Sequence, residues 1–323
     1  MNCTQLIRAI NKAYSQNQPF FFMVDFDLQN GRFFTPKEAY VQGILFNFNQ
    51  TRNYPDIPFS KKEITIKSRP ISFDSYKESY NIVSQNIARG NSYLVNLTAS
   101  TPIVCNASLT EIFHGSAAPY RLLYQNHFVV FSPETFVRVE EQSIYTHPMK
   151  GTIDASIHNA EQLLLSNPKE MAEHATTVDL LRNDLSRHAV RVKVDRFRYV
   201  ETINSGKKKL LQVSSQISGT LPINYKHRMG NILFDMLPAG SISGAPKKRT
   251  IEIIKEAETH QRGYYTGIAG VFDGKKLDTC VLIRFIENQQ GRLVYKSGGG
   301  ITSLSHEKEE YNELIDKIYV PNC

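Results

Sequence analysis

Tryptophan is absent from the 323 residues, and cysteine is scarce. The four cysteines, Cys3, Cys105, Cys280 and Cys323, lie far apart and form no CxxC pair, which excludes the usual zinc and dithiol spacings. None stands in a glycine-rich elbow, so this chain carries no cysteine nucleophile of the glutaminase type. Two of them are at the termini, a pattern expected of a reduced, cytoplasmic protein with incidental thiols. Long apolar runs are also lacking. The strongest, Phe20-Phe21-Phe22-Met23-Val24, is stopped by Asp25 and is too short for a membrane span or a signal segment. The net charge of +7 is scattered over Lys61-Lys62, Lys207-Lys208-Lys209, Lys247-Lys248-Arg249 and Lys275-Lys276. Without a continuous basic stripe, a nucleic-acid partner is not expected, whereas a small anionic substrate suits this charge. Internal repeats and low-complexity linkers are absent too.

The remaining composition, 41% hydrophobic and 21% charged, is that of a soluble globular protein. From Phe20 to Phe48, aromatic and β-branched runs are broken by the hairpin-type Asn30-Gly31. Tyr76, Tyr80, Val83 and Ile87 recur at helical spacing and predict a helix over Ser75–Ala88. Further helices are expected at Pro168–Arg187, Pro246–Glu258 and Ser305–Ile318, the last with Ser305 as N-cap. Strands are expected at Tyr93–Leu97, Phe128–Phe131, Phe136–Val139, Val190–Val194, Val213–Leu221, Gly267–Phe272, Thr279–Ile286 and Leu293–Tyr295. Grouped strands separated by single long helices predict an α+β fold with mainly antiparallel sheets. Residues 1–72 read as an N-terminal segment completing the sheets, and 73–323 as the catalytic core.

Four features can carry chemistry. In Pro148-Met149-Lys150-Gly151-Thr152, a lysine between proline and glycine sits at a turn where its amine can be aimed, and Glu134 lies sixteen residues upstream. Glu170 and Glu173 are three apart on one predicted helix, and Glu310 and Glu313 on another. Four such carboxylates could hold a hard divalent ion, or could be solvated first-turn glutamates favoured by the helix dipole. The loop Pro238–Lys247, with Ser241 and Gly244, reads as a backbone cradle for a carboxylate or as a plain linker. Gly298-Gly299-Gly300 reads as a place where side chains are excluded, or as a surface turn.

In order, the stretches GNSYLVNLT (Gly90–Thr98), SPETF (Ser132–Phe136), PMKGT (Pro148–Thr152), VDLLRNDLSR (Val178–Arg187), PAGSISGAPK (Pro238–Lys247), YTGIAG (Tyr265–Gly270), DTCVLIR (Asp278–Arg284), GGGI (Gly298–Ile301) and EYNELIDK (Glu310–Lys317) resemble the chorismate-utilising enzymes. The resemblance implies an α/β sandwich of two large antiparallel sheets with helices outside. It also implies a general acid at Glu134 with a raised pKa, and magnesium held by Glu173 and Glu313 with Glu170 and Glu310 in support. Substrate contacts are implied at Gly151, Thr152, Tyr265, Arg284 and the Gly298–Gly300 backbone, with Arg284 on the enolpyruvyl carboxylate. Lysine at Lys150, where anthranilate and isochorismate synthases usually carry alanine, is similar to component I of the aminodeoxychorismate synthases. There it is thought to attack carbon 2 of chorismate as a neutral amine, its pKa lowered by burial or by a nearby cation such as magnesium or Arg284. Ammonia would come from a separate glutamine amidotransferase subunit.

Departures from the family pattern narrow these expectations. Leu94 stands where most relatives have glutamine or lysine, which argues against water as nucleophile. Gln212 stands where relatives have a histidine, so no proton transfer is assigned there. A shorter N-terminal region implies an incomplete tryptophan pocket. The absence of a fused lyase implies that the product is aminodeoxychorismate itself. Anthranilate synthase component I and a catalytically silent amidotransferase-binding homologue are the alternative readings.

Overall fold

The computed structural model describes residues 1–56, 63–205 and 208–321, except for the side chains of residues 203–205 and 208. The basic pair Lys61-Lys62, Lys207 and Cys323 therefore lie outside the described residues. Two nine-stranded sheets form the body, and every described strand pairing is antiparallel. The first sheet runs in the order Met149–Asp154, Lys208–Thr220, Ser143–Thr146, Thr135–Glu140, Lys276–Val281, Ile268–Phe272, Phe20–Val24 and Gly31–Phe34, with Val190–Ser205 paired to Lys208–Thr220. The second runs Gly244–Ala245, Leu94–Cys105, Arg292–Ile301, Phe285–Gln289, Phe128–Ser132, Tyr120–Tyr124, Ile44–Phe48 and Thr51–Arg52, with Ile66–Ser68 on Leu94–Cys105.

The apolar run at Phe20–Val24 shows why the sheets stack. Side chains alternate across a strand, so an all-apolar strand needs cover on both faces. Phe20, Phe22 and Val24 share a core with Leu6 and Ile10 of the helix Cys3–Ser15. Phe21 and Met23 point the other way and join Phe46, Phe48, Tyr120 and Phe285 between the sheets. Phe21 stacks on Phe46 with ring centroids 5.2 Å apart. A third core, with Ile112, Phe113, Phe131 and Tyr295, lies under the helix Leu109–Gly115. Thus helices cover the outer faces and aromatic residues fill the space between the sheets.

Several boundaries differ from expectation. The helix Phe73–Ala88 begins at an Ser72 cap. The last helix spans Glu307–Asp316 with His306 as N-cap, while Ser305 Oγ instead accepts from Thr302 N at 3.1 Å. The Thr279–Ile286 strand is in fact two, Lys276–Val281 and Phe285–Gln289, belonging to different sheets. An apolar run reads as one strand whether or not it bends, because Leu282 is fully buried within the crossing. No described helix is long and apolar enough to cross a membrane.

Candidate active site

Two chain crossings between the sheets build the site. Pro133-Glu134 joins Phe128–Ser132 of the second sheet to Thr135–Glu140 of the first. Leu282-Ile283-Arg284 joins Lys276–Val281 of the first to Phe285–Gln289 of the second. The crossings lie side by side, with Val281 N donating to Glu134 O and Phe131 N to Arg284 O, both at 3.1 Å. Arg284 adopts a left-handed φ of 55°, uncommon for a residue other than glycine and costly unless the surroundings hold it. Between these crossings and the helices opens a cavity of about 1030 Å³, lined by Glu134, Lys150, Tyr265, Arg284 and Glu313 among others.

Lys150 lies within the strand Met149–Asp154, not at a turn. The register shifts between Lys150 and Thr152, and Gly151 takes a φ of 76°. This bulge re-aims the lysine into the cavity, a use of bulges that a regular ladder would forbid. Its Nζ lies 3.5 Å from Glu173 Oε2. A Cβ built on Gly300 would come within 3.1 Å of that carboxylate, 3.3 Å of the amine and 3.0 Å of Leu94 Cδ1, so glycine leaves room for this meeting. Gly299 likewise faces Glu313 and Glu310, and Gly151 faces Glu170. Gly298 lines the cavity, as do Thr152, Ser241 and Gln212.

Glu134 accepts a hydrogen bond from Ser241 Oγ. Burial pushes its carboxyl above the ordinary value, although Ser241, Lys150 and Lys317 oppose the shift. For Lys150 the outcome differs from the expected lowering. Burial does pull its pKa down, but Glu173, Glu313, Glu134 and Glu170 outweigh it and hold the amine charged. Two of those carboxyls are driven apart. Burial pushes Glu173 up to about 7. Glu313 is also desolvated, but Lys317, Lys150 and Lys169 hold it down at about 2. Such divergent carboxyls in one cavity are characteristic of functional sites.

Carboxylate oxygens are the donor type that a hard divalent cation takes. Glu310 is 1% exposed; the Lys169 ammonium lies against its Oε1, and among the described residues its Oε2 has no hydrogen-bonding partner. Among the described residues, however, no three acidic, histidine or cysteine side chains converge on one point. The Lys169 ammonium stands among them, 2.5 Å from Glu310 and 3.9 Å from both Glu173 and Glu313. Lys317 does similar work at the mouth, donating to Gly298 O at 2.7 Å and to Glu313 Oε1 at 2.6 Å. Sequence reasoning missed both lysines, although each stands four residues from a glutamate on its chain, Lys169 from Glu173 and Lys317 from Glu313.

Gly244, expected at the substrate, is not among the residues that line the cavity and packs closely against the neighbouring strand. It pairs with Val95 in a two-residue strand at a φ of 128°, and a Cβ there would lie 1.7 Å from Leu94 O. Gly244→Ala is therefore expected to lose about 3 kcal/mol of stability or to fail to fold. Thermal unfolding checks this, and an unchanged midpoint would contradict the close approach.

Comparison with known proteins gives the same picture. The family model described as chorismate binding enzyme matches residues 11–321. An uncharacterized PabA-like protein of Pasteurella multocida is 47% identical over 327 residues, covering 99% of each chain. Aminodeoxychorismate synthase component 1 of Salmonella typhimurium is 33% identical over 259 residues, which are 75% of this chain and 56% of that protein. The menaquinone-specific isochorismate synthase of Escherichia coli superposes with a TM-score of 0.74 at 15% identity, over 98% of this chain and 81% of that one, which establishes the shared fold. On the family match, the two antiparallel sheets and the motifs gathered around one cavity, the chain belongs to the family of chorismate binding enzymes.

Proposed function

We propose that the chain is component I of an aminodeoxychorismate synthase, which aminates chorismate at carbon 4. The supporting observation is the Lys150 amine, turned by its bulge into a cavity that also holds Glu134, at the motif position where lysine resembles this branch of the family. Lys150 attacks ring carbon 2. The double bond shifts and the 4-hydroxyl departs as water, taking its proton from Glu134, which requires a carboxyl kept protonated by burial. Ammonia then adds at carbon 4, the double bond shifts back, the lysine is expelled as the free amine with its electron pair, and the new ammonium returns a proton to Glu134. The hydrogen bond from Ser241 fixes the orientation of the carboxyl and so keeps the acid aimed at one leaving group. Arg284, half held by Lys317 O at 3.2 Å, offers its remaining donors to the enolpyruvyl carboxylate.

Glu173 and Glu313, supported by Glu170 and Glu310, would hold magnesium. When bound, it supplies positive charge that offsets these carboxylates and the substrate's ring carboxylate, leaving burial to favour the neutral form of Lys150. Tyr265, Gly151, Thr152 and the Gly298–Gly300 backbone shape the rest of the wall. Ammonia is supplied by a separate glutamine amidotransferase subunit, since no cysteine here serves that reaction.

The test is product identity. Purified protein with chorismate, magnesium and ammonium at mildly alkaline pH is expected to yield an amine that retains the enolpyruvyl group, read by mass spectrometry. Turnover should stop on chelation and return with magnesium. Anthranilate with release of pyruvate would overturn this assignment in favour of the anthranilate synthase branch. No product, even with an amidotransferase partner present, would identify a silent homologue.

A further inference from the structure

Behind the cavity wall lies a second buried charge cluster that none of the chemistry above uses. Arg262 is 3% exposed and does not line the cavity. Its Nε and one terminal nitrogen fork the Glu258 carboxylate at 2.9 and 2.7 Å. The same terminal nitrogen donates to Asn96 O at 2.6 Å, and the other to Ile242 O at 2.9 Å and Thr266 Oγ1 at 3.3 Å. Glu258 is fixed in turn by Thr98 N and Thr98 Oγ1, at 2.9 and 2.8 Å. One guanidinium therefore joins the strand Leu94–Cys105, the residue after the helix Lys247–Ala257 and the turn Gly240–Ile242. Ser241, the donor to Glu134, sits in that turn beside Ile242.

Such a pair is weak evidence for stability, because desolvating two charges costs about what their attraction returns. What it supplies is geometry: five donors in a rigid fork reach acceptors that a lysine could not hold together. We propose that Arg262 is a positioning residue that holds the Ser241 turn and so sets the protonation of Glu134 without touching substrate. The inference rests on the reading of Glu134 as the acid, but its geometry stands apart from any substrate. The groups facing Glu134 are Ser241, Lys150 from the strand Met149–Asp154, Lys317 just past the last helix, and the Cys280 thiol from Lys276–Val281. Arg262 is not among them, so an effect on Glu134 must travel through Ser241.

The experiment follows the Glu134 carboxyl by carbon-13 NMR in glutamate-labelled protein, assigned with Glu134→Gln, across wild type, Ser241→Ala, Arg262→Lys and the double variant. Losing the Ser241 donor removes a bond to the carboxylate, so Ser241→Ala is expected to raise the titration midpoint by about 1 on the pH scale. Arg262→Lys is expected to raise it by a similar amount, and the double variant no further than either alone. A wild-type midpoint in Ser241→Ala or in Arg262→Lys overturns the proposal, and so does full additivity in the double variant. Should Arg262→Lys not fold, Glu258→Gln removes the charge that locks the fork while leaving the guanidinium in place. A raised midpoint there supports the proposal and an unchanged one overturns it. No substrate is present in these titrations. Failure of chorismate turnover in the same samples would overturn the proposed activity while leaving this inference to be decided by its own readout.

Discussion

Lys150→Ala is expected to lower kcat/KM for amination of chorismate by about 10³-fold or more, equivalent to about 4 kcal/mol of transition-state stabilisation. In the proposed reaction the lysine makes and breaks a bond to the ring, so its loss is expected to remove an entire pathway and not merely a binding contact. The fall is expected in kcat, with KM for chorismate changed far less, because Tyr265, Arg284 and the glycine wall remain in place. The substitution also removes a cation from among Glu173, Glu313, Glu134 and Glu170, so folding stability must be measured beside activity. Lys150→Met, which keeps the volume but not the amine, separates the two effects. Equal loss in both variants with a native thermal midpoint assigns the defect to the amine. Retention of amination in either would remove lysine from the mechanism.

Glu134→Gln is expected to cost about 10²- to 10⁴-fold in kcat, the usual range for a positioned general acid. Its effect depends on pH in a direction that follows from the raised carboxyl. In the proposed reaction wild-type activity requires the protonated acid and is expected to fall as pH rises through the folded-state pKa. The glutamine variant should lack this limb. Stability moves the opposite way. A carboxyl whose folded pKa lies above its unfolded value favours folding fully below the unfolded value, and that advantage is lost as pH rises through the folded one. Glutamine stays neutral throughout, so the variant should match wild type in acid and melt higher at alkaline pH. On this reading the site keeps an acid at a cost in stability where it is ionised, a common trade between function and folding. Equal melting midpoints at high pH would mean that the carboxyl is not effectively buried.

Much of the architecture was legible because its signals are local. The helix Phe73–Ala88 follows from Tyr76, Tyr80 and Val83 on one buried face, and the strand Ile268–Phe272 from a short apolar run. The four glutamates could be grouped because spacing along a helix fixes which side chains share a face. What escaped depends on contacts remote in sequence. Nothing in Leu282-Ile283-Arg284 announces a passage from one sheet to the other, because a residue buried between layers looks the same on either side of the crossing. Pro148–Thr152 reads as a turn because proline and glycine flank its lysine, whereas pairing of Met149–Asp154 with Lys208–Thr220 draws the segment into a sheet and turns its glycine into a bulge. The shift of Lys150 towards its charged form follows from carboxylates that lie near it only in space. Gly244 could not be told from a ligand-binding glycine without knowing that Leu94 O lies against it.

The strand Phe20–Val24, second from the edge of its sheet, also sets a timetable for synthesis. One neighbour, Gly31–Phe34, follows at once, but the other, Ile268–Phe272, is translated about 250 residues later. At about 5 to 20 residues per second, five consecutive apolar residues wait on the order of 10 to 50 seconds with one edge unpaired. Glu134 and Lys150 leave the ribosome well before Arg284 and Glu313, so no partial chain assembles the cavity. A nascent chain stalled before residue 268 would present this edge to its neighbours on the polysome, where chaperone capture competes with aggregation.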